Sequence, residues 1–161
     1  MSTVISIGNQ DFESIRKSKS FYIDKTAFIK EWWENNDSVT LITRPRRFGK
    51  TLNLSTLHCF FSVKYKGRSD LFENLSIWKE KKYRDLQGTY PVIFLSFASV
   101  KGITYESARE SILLLLEELY QQHSFLLEKG ILNPKETEYF QKVGTEMSDA
   151  EAAMAIPKLA Y

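Results

Sequence analysis

A single cysteine, Cys59, leaves this chain without an internal disulfide and fits a reducing compartment, so the cytoplasm is the expected location. On the helix expected around it, that cysteine reads as a small apolar core residue. Histidine is scarce as well, with two in the chain. His123 has no second His, Cys or paired carboxylate at ligand spacing, so it reads as a surface or half-buried residue rather than a metal ligand. No apolar run approaches a membrane span: the leucines at 113–116 stand between charges. Residues 1–10 carry neither a basic stretch nor a long apolar one, which argues against a signal peptide. Charge of one sign is lacking too. A net charge of +2 is too small to argue by itself for a nucleic-acid or membrane partner. Internal repeats and low-complexity tracts are absent, and no apolar run ends in Asp-Asp or Asp-Glu.

What is present suits one soluble domain. The 161 residues are 43% hydrophobic and 26% charged, enough in principle for a sizeable core. The most informative stretch is Thr43-Arg44-Pro45-Arg46-Arg47-Phe48-Gly49-Lys50-Thr51. The apolar, β-branched Val39-Thr40-Leu41-Ile42 precedes it and reads as a buried strand. A helix is expected after it, with Leu54, Leu57 and Phe61 on one face. Strand, Gly-Lys-Thr turn and helix together are the layout of a phosphate-binding loop, where backbone N–H groups and the helix dipole converge on phosphate oxygens. In that layout Lys50 reaches the β- and γ-phosphates and the Thr51 hydroxyl ligates Mg²⁺.

The loop departs from the full pattern G-x-x-x-x-G-K-[ST] at its first position, where Arg44 replaces glycine. Arginine does not adopt positive φ comfortably, and Pro45 offers no N–H and pushes Arg44 toward extended geometry. The start of the loop must therefore be shaped differently. The donors left for phosphate are the N–H groups of Arg47, Phe48, Gly49, Lys50 and Thr51. A cationic strand-to-helix turn with solvated arginines is the plainer reading of the same residues.

The segment 43–52 resembles the AAA-ATPase-like family of predicted bacterial P-loop ATPases, in which an R-P-R-R-F-G-K-T loop stands in place of Walker A. Phe21-Tyr22-Ile23-Asp24-Lys25-Thr26 and Tyr90-Pro91-Val92-Ile93-Phe94-Leu95-Ser96-Phe97 are similar to the same family, in the same order. The resemblance implies an α/β fold of the P-loop NTPase (AAA/RecA) type, helices flanking a parallel sheet. It implies ATP and Mg as ligands, with Arg47, Phe48, Gly49, Lys50, Thr51 and Leu52 at the nucleotide. Tyr22, Asp24, Lys25 and Thr26 are the corresponding candidates on the base side. The family's Walker B strand comes later than the region with which this sequence ends, so the chain is expected to be an N-terminal piece: a lead-in at 1–37 and a truncated P-loop core at 38–161. A nuclease-like domain of the PD-(D/E)XK type often follows in such proteins. The strands 39–42 and 92–97 would then flank a gap, leaving edges and apolar surface exposed.

Elsewhere the signals are local. Asp11 is expected to cap a short helix with Phe12 and Ile15 inward. Asp24 is an N-cap candidate for a helix to Trp33. Its Phe28, Ile29, Trp32 and Trp33 form an aromatic core stripe, a base-stacking platform being the alternative. Residues 71–77 and 78–86 read as short helical pieces. Thr104 should cap a long helix to Lys129, with Ile112, Leu113, Leu116, Leu119 and Tyr120 inward and Gly130 as its stop. Asn133-Pro134-Lys135-Glu136 and Ser148-Asp149-Ala150-Glu151 read as capped helix starts, and Pro157 should kink or end the last helix.

Two functions fit these residues. One is ATP binding by part of an AAA-like ATPase, with turnover lost for want of a second carboxylate and a water-polarising residue. The other is a nucleic-acid- or partner-docking module using Arg44, Arg46 and Arg47, joined by Lys64, Lys66 and Arg68. The sequence leaves the oligomeric state open.

Overall fold

The computed structural model of the chain describes residues 5–45, 47–128 and 130–160. It divides into two compact units, residues 1–92 and 93–161. The first holds α1 (Phe12–Lys17), α2 (Ala27–Asn35), α3 (Lys50–Phe61) and the short α4 (Lys81–Arg84), with 3-10 turns at Val63–Tyr65, Ser69–Leu71 and Ser76–Lys79. The second holds α5 (Tyr105–Gln122), α6 (Pro134–Lys142) and α7 (Asp149–Ala160).

The expected parallel sheet is not there. Among the described residues no strand forms, and the sole ladder element is an isolated parallel bridge between Ser62 and Tyr90. The physical reason is the lack of partners. A strand's N–H and C=O groups must be paired by a neighbour. Residues 39–42 have none among the described residues: Val39 and Leu41 are 86% and 82% exposed, and the Thr40 hydroxyl accepts from Trp32 Nε1 at 3.1 Å. At the other expected strand, the Tyr90 N–H donates to Phe61 O (2.9 Å) and the Val63 N–H to Tyr90 O (2.8 Å). The next bond of a parallel ladder would run from the Val92 N–H to Val63 O, but the chain enters the 3-10 turn Val63–Tyr65 there and that carbonyl accepts from the Lys66 N–H (3.1 Å), so the pairing stops. The α/β P-loop architecture is thus replaced by helices and turns.

The first unit is organised around aromatic rings. Phe12, Phe60, Phe61 and Phe72 are buried with Ile29, Leu71, Ile77 and Tyr83. Phe60 meets Phe72 edge-on at 5.2 Å, Phe12 meets Phe72 at 5.2 Å, and Trp33 stacks on Phe61 at 5.4 Å. Trp32 also packs on Phe61, so the tryptophan stripe is core. On α3, Phe61 is buried and Leu57 packs half-buried against the core as expected, but Leu54 is exposed; Ser55, Thr56, Cys59 and Phe60 complete the inward face. Burial pushes the Cys59 thiol up to about 11, which keeps it protonated.

In the second unit, α5, α6 and α7 enclose Leu113, Leu116, Tyr120, Phe140, Val143, Met147 and Ala155. The capping boxes form as the sequence predicts: Asn133 Oδ1 accepts from the Glu136 N–H (3.0 Å), and Glu136 Oε2 from the Asn133 N–H (2.8 Å). Ser148 and Glu151 repeat the exchange at the start of α7. Two expectations fail. Ile112 faces outward, and α5 ends at Gln122, where His123 turns inward and its Nδ1 meets Leu119 O at 2.8 Å. The expected end at Lys129 lies outside the described residues. Pro157 sits inside α7 without ending it, because the carbonyl it leaves unpaired belongs to the exposed Ala153 and faces water. Among the described residues no helix is long and apolar enough to cross a membrane.

Gly88 makes a testable point of the α3 terminus. Its N–H donates to Phe60 O (2.8 Å), its φ is +68°, and a Cβ there would stand 2.5 Å from the Lys66 Cα. Gly88→Ala is expected to destabilise the chain by about 3 kcal/mol, combining left-handed strain and overlap with backbone, read from chemical denaturation. Leu41→Lys, at an open site, should leave the unfolding midpoint unchanged and raise the concentration at which light scattering first reports aggregation.

Candidate functional site

The loop 43–51 feeds directly into α3, so the orientation of α3 sets the site. Two hydroxyls fix it. Ser55 Oγ accepts from the Phe12 N–H (3.0 Å) and donates to Asp11 Oδ1 (3.2 Å), while Asp11 Oδ2 caps α1 through the Ser14 N–H (3.2 Å). Thr56 Oγ1 donates back to Leu52 O at 2.8 Å, and the Tyr22 hydroxyl packs against the Thr56 side chain. Periodicity alone gives Ser55 no part in the site. A serine amid the apolar face of a helix, needing a partner once buried, was the available signal.

At its other end α3 is open. Gly49 stands at the N-cap with φ +74° and ψ +22°, no side chain caps the helix, and the first helical bond is from the Asn53 N–H to Gly49 O (2.9 Å). The N–H groups of Lys50, Thr51 and Leu52 therefore have no acceptor within the helix. Arg47 is also left-handed, with φ +70°, a costly state for a non-glycine residue. A Cβ on Gly49 would meet nothing within 4 Å, so it is the backbone conformation, not crowding, that suits glycine there. Gly49 followed by the helical Lys50 gives the alternation of left- and right-handed residues in which successive N–H groups form an anion-binding concavity.

Lys50 folds back over this turn. Its ammonium donates to the carbonyl oxygens of Arg44 and Pro45, the latter at 3.2 Å. The loop is thus closed on itself, with one positive charge across its mouth. Thr51 is exposed and its hydroxyl has no partner among the described residues; Phe48 is 59% exposed at the tip. Arg44 and Arg47 are exposed and make no ion pair among the described residues, and Arg46 lies outside them.

The lead-in residues are placed differently. Asp24 accepts four bonds: Oδ1 from the Thr26 N–H (2.8 Å) and hydroxyl (2.7 Å), Oδ2 from the Ser76 N–H (2.7 Å) and hydroxyl (2.5 Å). Thr26, fully buried, is the N-cap residue of α2 in place of Asp24, and its Oγ1 accepts from the Ile77 N–H at 3.2 Å. Tyr22 packs edge-on to Phe12 at 5.4 Å. Lys25 is exposed. Burial pulls the Asp24 carboxyl up, but the Ser76 and Thr26 donors outweigh it and hold the group below its ordinary 3.8.

Of the wider basic surface, Arg68 is committed: Nε and Nη2 donate to Asp70 (2.8 and 2.9 Å) and Nη1 to Glu13 (2.8 Å). In the second unit a groove of about 260 Å³ between residues 94–99 and α5 carries a single carboxylate, Glu118. Among the described residues no cluster of three or more His, Cys, Asp or Glu side chains is arranged to hold a metal ion.

Comparison with known families decides the assignment. A family profile described as predicted AAA-ATPase matches residues 6–156, nearly the whole chain. The chain belongs to the predicted AAA-ATPase family. Its description as a predicted ATPase implies nucleotide, usually with magnesium. A relative from Azotobacter chroococcum mcd 1, described as an uncharacterized protein in the vnfD 5′ region, is 36% identical over 94 residues. The matched stretch is 58% of this chain and 17% of the relative, so the chain spans about a sixth of that protein's length. No solved structure matches.

The Asp24 staple is testable by stability and pH. Asp24→Ala leaves the Thr26 and Ser76 donors short of an acceptor and should cost about 2–3 kcal/mol in denaturant titrations. Because the folded-state value is depressed, the wild-type contribution is full above 3.8 and drains as pH falls through the folded value. The variant should therefore lose less stability than wild type over that acid range.

Proposed function

We propose that this chain binds ATP at the turn 47–52, as the loop-bearing part of an AAA-like ATPase. The observation that carries the reading is the open N-terminus of α3: a left-handed Gly49 with no side-chain cap, N–H groups at Lys50, Thr51 and Leu52 that have no acceptor among the described residues, and the Lys50 ammonium lying across the same turn. An anion with several oxygens is the complement of that arrangement. Arg47, Phe48 and Gly49 would supply further N–H groups, and Lys50 would exchange the Arg44 and Pro45 carbonyls for β- and γ-phosphate oxygens.

Magnesium fits on one side only. The Thr51 hydroxyl is exposed and has no partner among the described residues, an oxygen donor of the kind Mg²⁺ accepts beside phosphate oxygens and water. When bound, the ion neutralises charge on the phosphates. The chain has no apolar run ending in an acidic pair from which to draw a second carboxylate. In this reading the 161-residue chain holds nucleotide without turning it over, and hydrolysis belongs to the longer protein, where a nuclease-like domain is a further proposed partner. Asp11 and Phe12 of the lead-in frame α3 through Ser55, and Tyr22, Asp24, Lys25 and Thr26 are the residues that would stand on the base side.

Isothermal titration of the full chain with ATP and MgCl₂ tests the proposal. Wild type should bind and Lys50→Ala should lose at least tenfold in affinity, equivalent to about 1.4 kcal/mol. Phosphate release should stay at the buffer background for both. Equal binding by the two proteins would refute the loop as the site, and Lys50-dependent turnover would refute the division of labour.

A further inference from the structure

Resting on the reading of 47–52 as a triphosphate site, we infer that the site selects its ligand by the length of the phosphate chain and not by the base. Three observations lead there.

The first is local charge. From Ser38 to Ser69 the chain has no Asp or Glu, while Arg44, Arg46, Arg47, Lys50, Lys64, Lys66 and Arg68 fall in the same interval. Overall neutrality hides this segregation. Arg68 is neutralised by Asp70 and Glu13, yet Arg44 and Arg47 stay exposed and unpaired among the described residues beside Lys50. Each further phosphate thus adds attraction with no nearby carboxylate from this segment to repel it.

The second is the state of the side chains on the expected base side. Reading adenine against guanine takes a fixed polar group, an acceptor for the adenine N6 amino group or a donor held at N1 or at the guanine O6, and a site discriminates strongly only where such a group is left wanting by the wrong ligand. Asp24 has about four lone-pair sites, and its two oxygens already accept four bonds. The Thr26 hydroxyl donates to Asp24, accepts from the Ile77 N–H and is fully buried. Tyr22 is packed between Phe12 and Thr56. Lys25 is exposed, and among the described residues no contact fixes its flexible ammonium at a set position from which to read a base.

The third is Phe48, held outward at the tip between the left-handed Arg47 and Gly49. An exposed ring offers a π-face to any base, and stacking of that kind is tolerant of base identity.

The site therefore takes nucleoside triphosphates as a class, and inorganic tripolyphosphate with them. Competition titrations on the full chain, in Mg²⁺ and at fixed ionic strength, decide it: ATP, GTP, CTP and inorganic tripolyphosphate against Lys50→Ala as control. The three nucleotides should agree within about threefold, and tripolyphosphate should displace ATP completely. Removing one phosphate, ATP to ADP, should cost about tenfold, the loss of one charge-assisted hydrogen bond. Lys50-dependent binding with a tenfold or greater preference for ATP over GTP and CTP would overturn this inference and leave the nucleotide reading standing. Failure of tripolyphosphate to compete would overturn it likewise. Absence of any Lys50-dependent binding would overturn both.

Discussion

The structure depends on one helix being held hard at one end and left open at the other. Phe60 and Phe61, at the C-terminal end of α3, are buried among Phe72, Trp33 and Trp32. Each buried ring contributes roughly 1.5–3 kcal/mol, and each good aromatic contact adds about 0.5–1.5 kcal/mol. Against this, a missing N-cap side chain costs about 1 kcal/mol, and the left-handed Arg47 about 1–2 kcal/mol. Burial wins by a clear margin. An N-terminus that a free-standing helix would fray is therefore kept in register, with its donors unpaired among the described residues. The Ser55–Asp11 contact converts that into orientation, because it ties the cap of α1 to the middle of α3.

The lead-in shows how a motif can be structural where a ligand contact is expected. Phe21-Tyr22-Ile23-Asp24-Lys25-Thr26 resembles a family signature, and such signatures invite assignment to the site. Here Asp24 draws together the start of α2 and the Ser76–Lys79 turn through four donors, two on each carboxylate oxygen. No neutral residue accepts as many bonds from one position. That geometry accounts for an aspartate at 24 and a buried threonine at 26 without appeal to a base.

What could be read in advance divides along the range of the interaction. Caps at Asp11, Thr104, Asn133 and Ser148 were legible because donor and acceptor lie within three residues of each other. The loop itself was legible as a strand-turn-helix pattern, and its helix half is present. The strands were not legible, because Val39-Thr40-Leu41-Ile42 and Val92-Ile93-Phe94-Leu95 have the composition of strands whatever the chain offers as partners. Composition says that a segment suits a sheet; only a neighbour's unpaired N–H and C=O groups make one. Leu54 and Ile112 went astray for a related reason: a period of 3.6 leaves two adjacent faces nearly equal in apolar content, and tertiary contacts choose between them. The buried Ser55 and Thr56 belonged to the face that was chosen.

On the proposed reading, the closed loop raises the question of whether its own bonds compete with a ligand. Lys50 donates to two neutral carbonyls, those of Arg44 and Pro45. A neutral acceptor is worth less to an ammonium than a charged phosphate oxygen, since hydrogen bonds between charged partners are shorter and roughly twice as strong. Exchanging one for the other is then downhill even before the backbone donors are counted. The released carbonyls are not stranded, because Arg44 and Pro45 are exposed and water takes the place of the ammonium. The resting contact thus keeps the lysine within reach of the turn at little cost to binding. It also prevents the ammonium from extending into solvent, where its rotamer freedom would have to be surrendered on ligation. A loop without its first glycine can in this way be held ready by a side chain rather than by backbone freedom.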